Sequence, residues 1–145
     1  MHDTYDLSRF VRAQDQGGTY AQALAELHRG RKVSHWMWFV FPQLTGLGRS
    51  AMAQRYALSG PAEARAYVEH EVLGARLEAS SMAVAEHSSR RAEEIFGAVD
   101  SAKLRSSMTL FSAVAAEAET FDTVLRLFFD GQPDPATRQL LEEGR

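Results

Sequence analysis

Apolar residues recur at helical spacing along most of the chain, and the strict alternation expected of strands is scarce. Leu7, Phe10, Val11 and Gln14 fall on one face of a predicted first helix that begins after Asp6 and is stopped by Gly17 and Gly18. Thr19, with Gln22 three residues on, has the form of a capping box. It would open a second helix whose stripe is Tyr20, Ala23, Leu24 and Leu27 and which ends at Gly30. Ser50 is placed to cap a helix over 51–58, and Pro61 suits the first turn of another over 62–68. After a break near His70, apolar positions from Val72 predict a helix reaching His87, with Gly74 an awkward residue near its start. Ser89 would cap a short helix ending at Gly97, and Asp100 or Ser101 would open the next. That helix carries Leu104, Met108, Phe111 and Ala115 beside Leu110 and Val114, a stripe wide enough for burial on more than one side. Thr120 begins a helix with Phe121, Val124, Leu125, Phe128 and Phe129 inward, closed by Gly131. Asp134 and Pro135 make a cap and first-turn pair for a last helix over 136–142.

The pattern predicts an all-α fold, an irregular globule of about eight or nine mostly short helices in a single domain over 1–145. The length of 145 residues lets a core form without staples, and the absence of cysteine removes disulfides, thiol nucleophiles and thiolate metal sites. Charges in the opening residues interrupt any apolar stretch of the kind a signal peptide needs, and no segment is long and apolar enough for a membrane span. A cytoplasmic protein is therefore expected. The net charge of -3 is polarised: residues 1–60 carry seven Lys/Arg against four Asp/Glu, and residues 61–145 nine against fifteen. That balance argues against a general nucleic-acid-binding surface. The basic turn Arg29, Arg31, Lys32 is still able to contact one anionic group.

Both tryptophans lie in the segment Ser34-His35-Trp36-Met37-Trp38-Phe39-Val40-Phe41. Aromatic enrichment favours a strand, whereas Ser34 as cap, Pro42 as stop and helical neighbours favour two turns of helix, and the helix is the expectation. On that geometry Trp36, Phe39 and Val40 enter the core while His35 and Trp38 border a cleft, with Gln43 at hand as donor and acceptor. The loop that follows holds Gly46, Gly48, Arg49 and Ser50 before a helix start. Glycines allow close approach of backbone N–H groups and Arg49 offers a fork for phosphate or carboxylate, but a plain turn between helices also needs glycines.

Other chemistries find less support. The five histidines, His2, His28, His35, His70 and His87, show no metal-ligand spacing, and neither metal nor cofactor is expected. Lys103, Ser106 and Ser107 share a helix face as a Ser-Lys nucleophile would require. The plainer expectation is close packing, with the hydroxyls bonded one turn back. Arg90 and Arg91 fall in a first helical turn, where cations oppose the helix dipole, which points to a counter-charge nearby.

Several strings resemble the bacterial proteins grouped as domain of unknown function 1810: the run from Lys32 to Gln43, Leu47-Gly48-Arg49-Ser50, Ile95-Phe96-Gly97, and Lys103-Leu104-Arg105-Ser106-Ser107-Met108-Thr109-Leu110-Phe111. The resemblance implies an all-helical fold and brings no established activity with it. From the residues themselves, the first functional expectation is a pocket for an anionic aromatic metabolite such as a nucleotide. Trp36, Trp38, Gln43, Gly46, Gly48, Arg49 and Ser50 would bind it, and His35 would act as general acid or base. The alternative is a non-catalytic adaptor or homodimer module anchored by exposed Trp38, Met37 or Phe41. A third possibility has both tryptophans in the core. Either a monomer or a homodimer fits, and no reaction class follows.

Overall fold

A computed structural model describes residues 3–144. In chain order the helices are α1 (Ser8–Asp15), α2 (Thr19–Arg29), α3 (Met37–Val40), α4 (Ala51–Arg55), α5 (Pro61–Glu69), α6 (Glu71–Ala85), α7 (Ala92–Val114), α8 (Glu119–Phe129) and α9 (Pro135–Glu143), with a 3-10 turn, Gln16–Gly18, between the first two. The all-α expectation holds. Leu44 and Leu58 add one isolated parallel bridge, in which Leu58 N donates to Gln43 O at 2.9 Å and Thr45 N to Leu58 O at 2.9 Å.

Side-chain caps set three of the helix starts. Ser50 accepts from Ala53 N, Asp134 accepts from Thr137 N, and His70 accepts on Nδ1 from Val72 N and Leu73 N, which starts α6 where the break was expected. Three expectations are corrected. Thr19 and Gln22 form no capping box, because Thr19 Oγ1 donates back to Gln16 O while Gln22 turns toward Glu26 and Ser34. The helix after Ser50 ends at Arg55, since Leu58 is drawn into the bridge with Leu44. Ser89 caps nothing; α7 starts from Arg91, whose N–H is held by Glu94 Oε1 at 2.9 Å. The expected break at Gly97 is present: α7 is two helical stretches joined across a kink there, at φ 81°, a conformation that glycine adopts freely.

α7 is the central element. Its Leu104, Met108, Leu110 and Phe111 are fully buried, and it packs against α5, α8 and α9, while α6 packs against α2, α5 and α8. One network then fixes α3 within this frame. The Phe39 carbonyl at the end of that short helix accepts from Gln14 Nε2 at 2.8 Å and Tyr67 Oη at 3.1 Å, which ties α1, α3 and α5 together. A second tie runs from Arg9 to Glu63 at 3.0 Å, joining α1 to the start of α5.

Gly74 is explained by space. A Cβ at this position would collide with the Val68 carbonyl of α5, so the tight turn between α5 and α6 requires a residue with no side chain. Gly74→Ala should cost about 1–3 kcal/mol from enforced displacement, seen as a lowered midpoint in urea. An unchanged midpoint would mean that α5 and α6 separate freely.

Candidate functional site

The aromatic segment is positioned by a buried carboxylate. Glu26, on α2 and 1% exposed, accepts from Val33 N at 2.8 Å, Ser34 N at 2.9 Å, Ser34 Oγ at 2.7 Å and Trp36 Nε1 at 2.9 Å. An ionised carboxylate offers roughly four lone-pair positions, so these donors nearly saturate it. Burial by itself would raise the Glu26 carboxyl. The bonds from the Ser34 N–H and hydroxyl, the Val33 N–H and the Trp36 indole outweigh that and bring it down to about 2. The same bonds correct the expected helix over the segment. Ser34 is taken up by Glu26 and does not cap, so only Met37–Val40 is helical.

Trp36 is accordingly a core residue, fully buried with its N–H satisfied, and has no face to offer a ligand. Trp38 is half-buried, and its indole N–H is shielded from solvent with no partner. It lines a cavity of about 10 Å³ together with Gln43, Gly48, Ala53, Tyr56 and Lys103, room for roughly one water. A nucleotide-sized cleft is not present at this position.

Around these indoles lies a charged arrangement that joins the two long sequence strings. Lys32 Nζ sits 2.9 Å from Asp100 Oδ2 and 5.1 Å over the Trp36 ring, and it donates to Ser34 O at 2.6 Å. Lys103 Nζ lies 3.6 Å from Asp100 Oδ1 and 5.3 Å over the Trp38 ring. One carboxylate therefore bridges two ammonium groups, each against an indole face. The Lys32 side chain is 8% exposed and that of Lys103 22% exposed.

The remaining expected site residues are scattered. His35 and Arg49 are exposed, as are Gly46 and Ser50, and the Ser50 hydroxyl is used in capping α4. Gly48 serves packing, since a Cβ there would stand 2.6 Å from Ala53 Cβ. Ser106 Oγ donates to Ala102 O at 3.2 Å, one turn back, and to Asp134 Oδ2 at 3.0 Å, while the Lys103 ammonium points to Asp100 and Trp38. No Ser-Lys dyad forms. Arg105 donates to the carbonyls of Gln132 and Pro133, and Thr109 Oγ1 accepts from Asp134 N at 2.8 Å, so this string anchors the turn before α9. Ser107 is fully buried with its hydroxyl unpartnered. The histidines are dispersed: His28 pairs with Glu86, His87 with the His28 carbonyl, and His70 caps α6, while His2 lies outside the described residues. Glu26 and Asp100 were missed as site residues.

The family model described as "Protein of unknown function (DUF1810)" matches residues 4–141, and the chain belongs to that family. It is similar to the crystal structure of the conserved hypothetical protein Rv1873 from Mycobacterium tuberculosis, with 46% identity and a TM-score of 0.93 over 97% of this chain and 99% of that one. No curated protein matches.

Two expectations follow. With its carboxyl held near 2 in the fold and near glutamate's ordinary 4.5 when unfolded, Glu26 contributes about 3 kcal/mol that is complete above the unfolded value and lost as pH falls toward the folded one. Urea midpoints measured across that acid range should fall steeply for wild type, whereas Glu26→Gln should be less stable at neutral pH and show a flatter acid limb. A glutamine variant with the wild-type acid limb would remove Glu26 as the source. Separately, Asp100→Asn should cost about 1–3 kcal/mol because it strands the nearly buried Lys32. Lys103→Gln, at a wetter position, should cost under about 1 kcal/mol. Equal costs in thermal denaturation would contradict the asymmetry of the bridge.

Proposed function

We propose that the domain binds a small anionic ligand at the rim formed by Trp38, Gln43 and Lys103. One observation carries this reading: the shielded, unpartnered indole N–H of Trp38 lies beside a cavity that the Lys103 ammonium also lines. A buried N–H without an acceptor is costly, and an oxygen of a carboxylate or phosphate next to an ammonium meets that need with a charge-assisted bond. The cavity takes one oxygen atom, so the body of the ligand lies outside it, against the exposed rim. Arg49 and the loop of Gly46, Gly48 and Ser50 are the outer contacts in this reading, and an aromatic metabolite such as a nucleotide is the ligand class that also uses the Trp38 ring. His35, exposed and directly after Ser34, is the side chain of this segment with general acid or base chemistry.

An adaptor role finds less support. Met37 and Phe41 are each 1% exposed, and the large apolar side chains that do reach solvent, Val33, Val72, Met82, Val99 and Leu127, are not aromatic anchors.

The test is tryptophan fluorescence and thermal denaturation of wild type, Trp38→Phe, Lys103→Gln and Arg49→Ala against nucleotides and phosphorylated metabolites. Trp36 remains as a reporter in the Trp38 variant. A ligand present at a hundredfold its Kd should stabilise wild type by about 2.7 kcal/mol, with binding weakened about tenfold or more in Trp38→Phe and Lys103→Gln. No stabilisation by any ligand, or equal stabilisation of wild type and both variants, would overturn the reading.

A further inference from the structure

Two basic pairs sixty residues apart in sequence share one end of the molecule. The end of α2 is pinned to the turn between α6 and α7: Arg90 Nη1 donates to Gly30 O at 3.2 Å, the His87 ring to His28 O at 2.9 Å, and His28 Nδ1 to Glu86 Oε1 at 2.9 Å. Gly30 makes this approach possible, because a Cβ there would lie 2.8 Å from the His87 ring. Arg29 and Arg31 flank Gly30, so this contact gathers them with Arg90 and Arg91, and all four are exposed.

The fold accounts for only part of this charge. Cations at the C-terminus of α2 complement its dipole, which suits Arg29. Arg91 stands at the start of α7, where the dipole opposes a cation, and has Glu94 at 3.5 Å as counter-charge. Arg90 uses one nitrogen on Gly30 O. Among the described residues, Arg29 and Arg31 have neither a side-chain hydrogen bond nor an ion pair. Glu86 and Glu94 are the anions engaged at this end, and they leave the four guanidinium groups in excess. Guanidinium forks match the oxygens of phosphate groups in pairs. The net charge of -3 keeps attraction local to this end and disfavours a long polyanion lying across the molecule.

We infer that this end, built from Arg29, Arg31, Arg90 and Arg91, is a docking surface for a compact, multiply phosphorylated anion. It goes beyond the Trp38 rim and does not depend on it.

Calorimetric titration with tripolyphosphate tests the inference, with citrate as a carboxylate control. Wild type should show saturable binding that weakens with added salt. Arg29→Gln/Arg31→Gln and Arg90→Gln/Arg91→Gln should each weaken it about tenfold or more, and Arg126→Gln, at an exposed position on α8, should leave it unchanged. Both pairs are at exposed positions, and unaltered thermal midpoints check that the variants fold. Binding equal to wild type in both double variants, absence of saturation, or citrate binding as tightly as tripolyphosphate would overturn the docking surface. Loss in Lys103→Gln alone would move the anion to the Trp38 rim, refuting this inference and leaving the other intact.

Discussion

The carboxylate of Glu26 closes the turn between α2 and the aromatic segment, and most of what is distinctive in the structure depends on it. A buried anion must find its donors within the protein. Here most come from one short stretch, two backbone N–H groups and a hydroxyl of Val33 and Ser34 and the indole of Trp36, with Gln22 adding a longer bond from α2 itself. Satisfying Glu26 fixes where the chain turns after Gly30. It also fixes which tryptophan goes inward, and hence where Trp38 and Lys32 come to rest. The segment reads as polar and aromatic by turns because its polar half serves the carboxylate while its aromatic half serves the core.

From that turn, order passes to the rest of the molecule through carbonyls that short helices cannot satisfy by themselves. α3 has too few residues to pair its own C=O groups. The Phe39 carbonyl is met by Gln14 and Tyr67 from two other helices, and Leu58 supplies the backbone pairing beyond Pro42. Short helices gain little from propensity, so these tertiary bonds decide where each one stops.

Much of the helical framework was legible in the sequence, because caps and apolar stripes are local signals. Ser50, Pro61, His70 and the Asp134-Pro135 pair mark real boundaries, and the wide apolar surface of α7 correctly marks the central helix. What was not legible depends on partners far away in the chain. Ser34 looked like a cap until Glu26, eight residues earlier, claimed it. A signal for this existed: Glu26 shares the α2 face of Ala23 and Leu27, and a carboxylate within an apolar stripe calls for buried donors. Gly74 looked like a weakness in α6, although the nearness of the Val68 carbonyl makes it a requirement. The candidate site was legible as a place, since Trp38 and Gln43 both line it, but not as chemistry. Lys103 and Asp100 reach it from a helix more than sixty residues along the chain.

The shared carboxylate of Asp100 has a consequence in charge stoichiometry. Two ammonium groups hold one carboxylate between them, and Glu26, bonded to the same Trp36 indole that Lys32 covers, supplies the second anion, so the corner balances its charge from within the protein. Electroneutrality there joins three stretches of chain, at Glu26, Lys32 and Asp100 to Lys103. An anion that takes hold of Lys103 therefore does so in competition with Asp100.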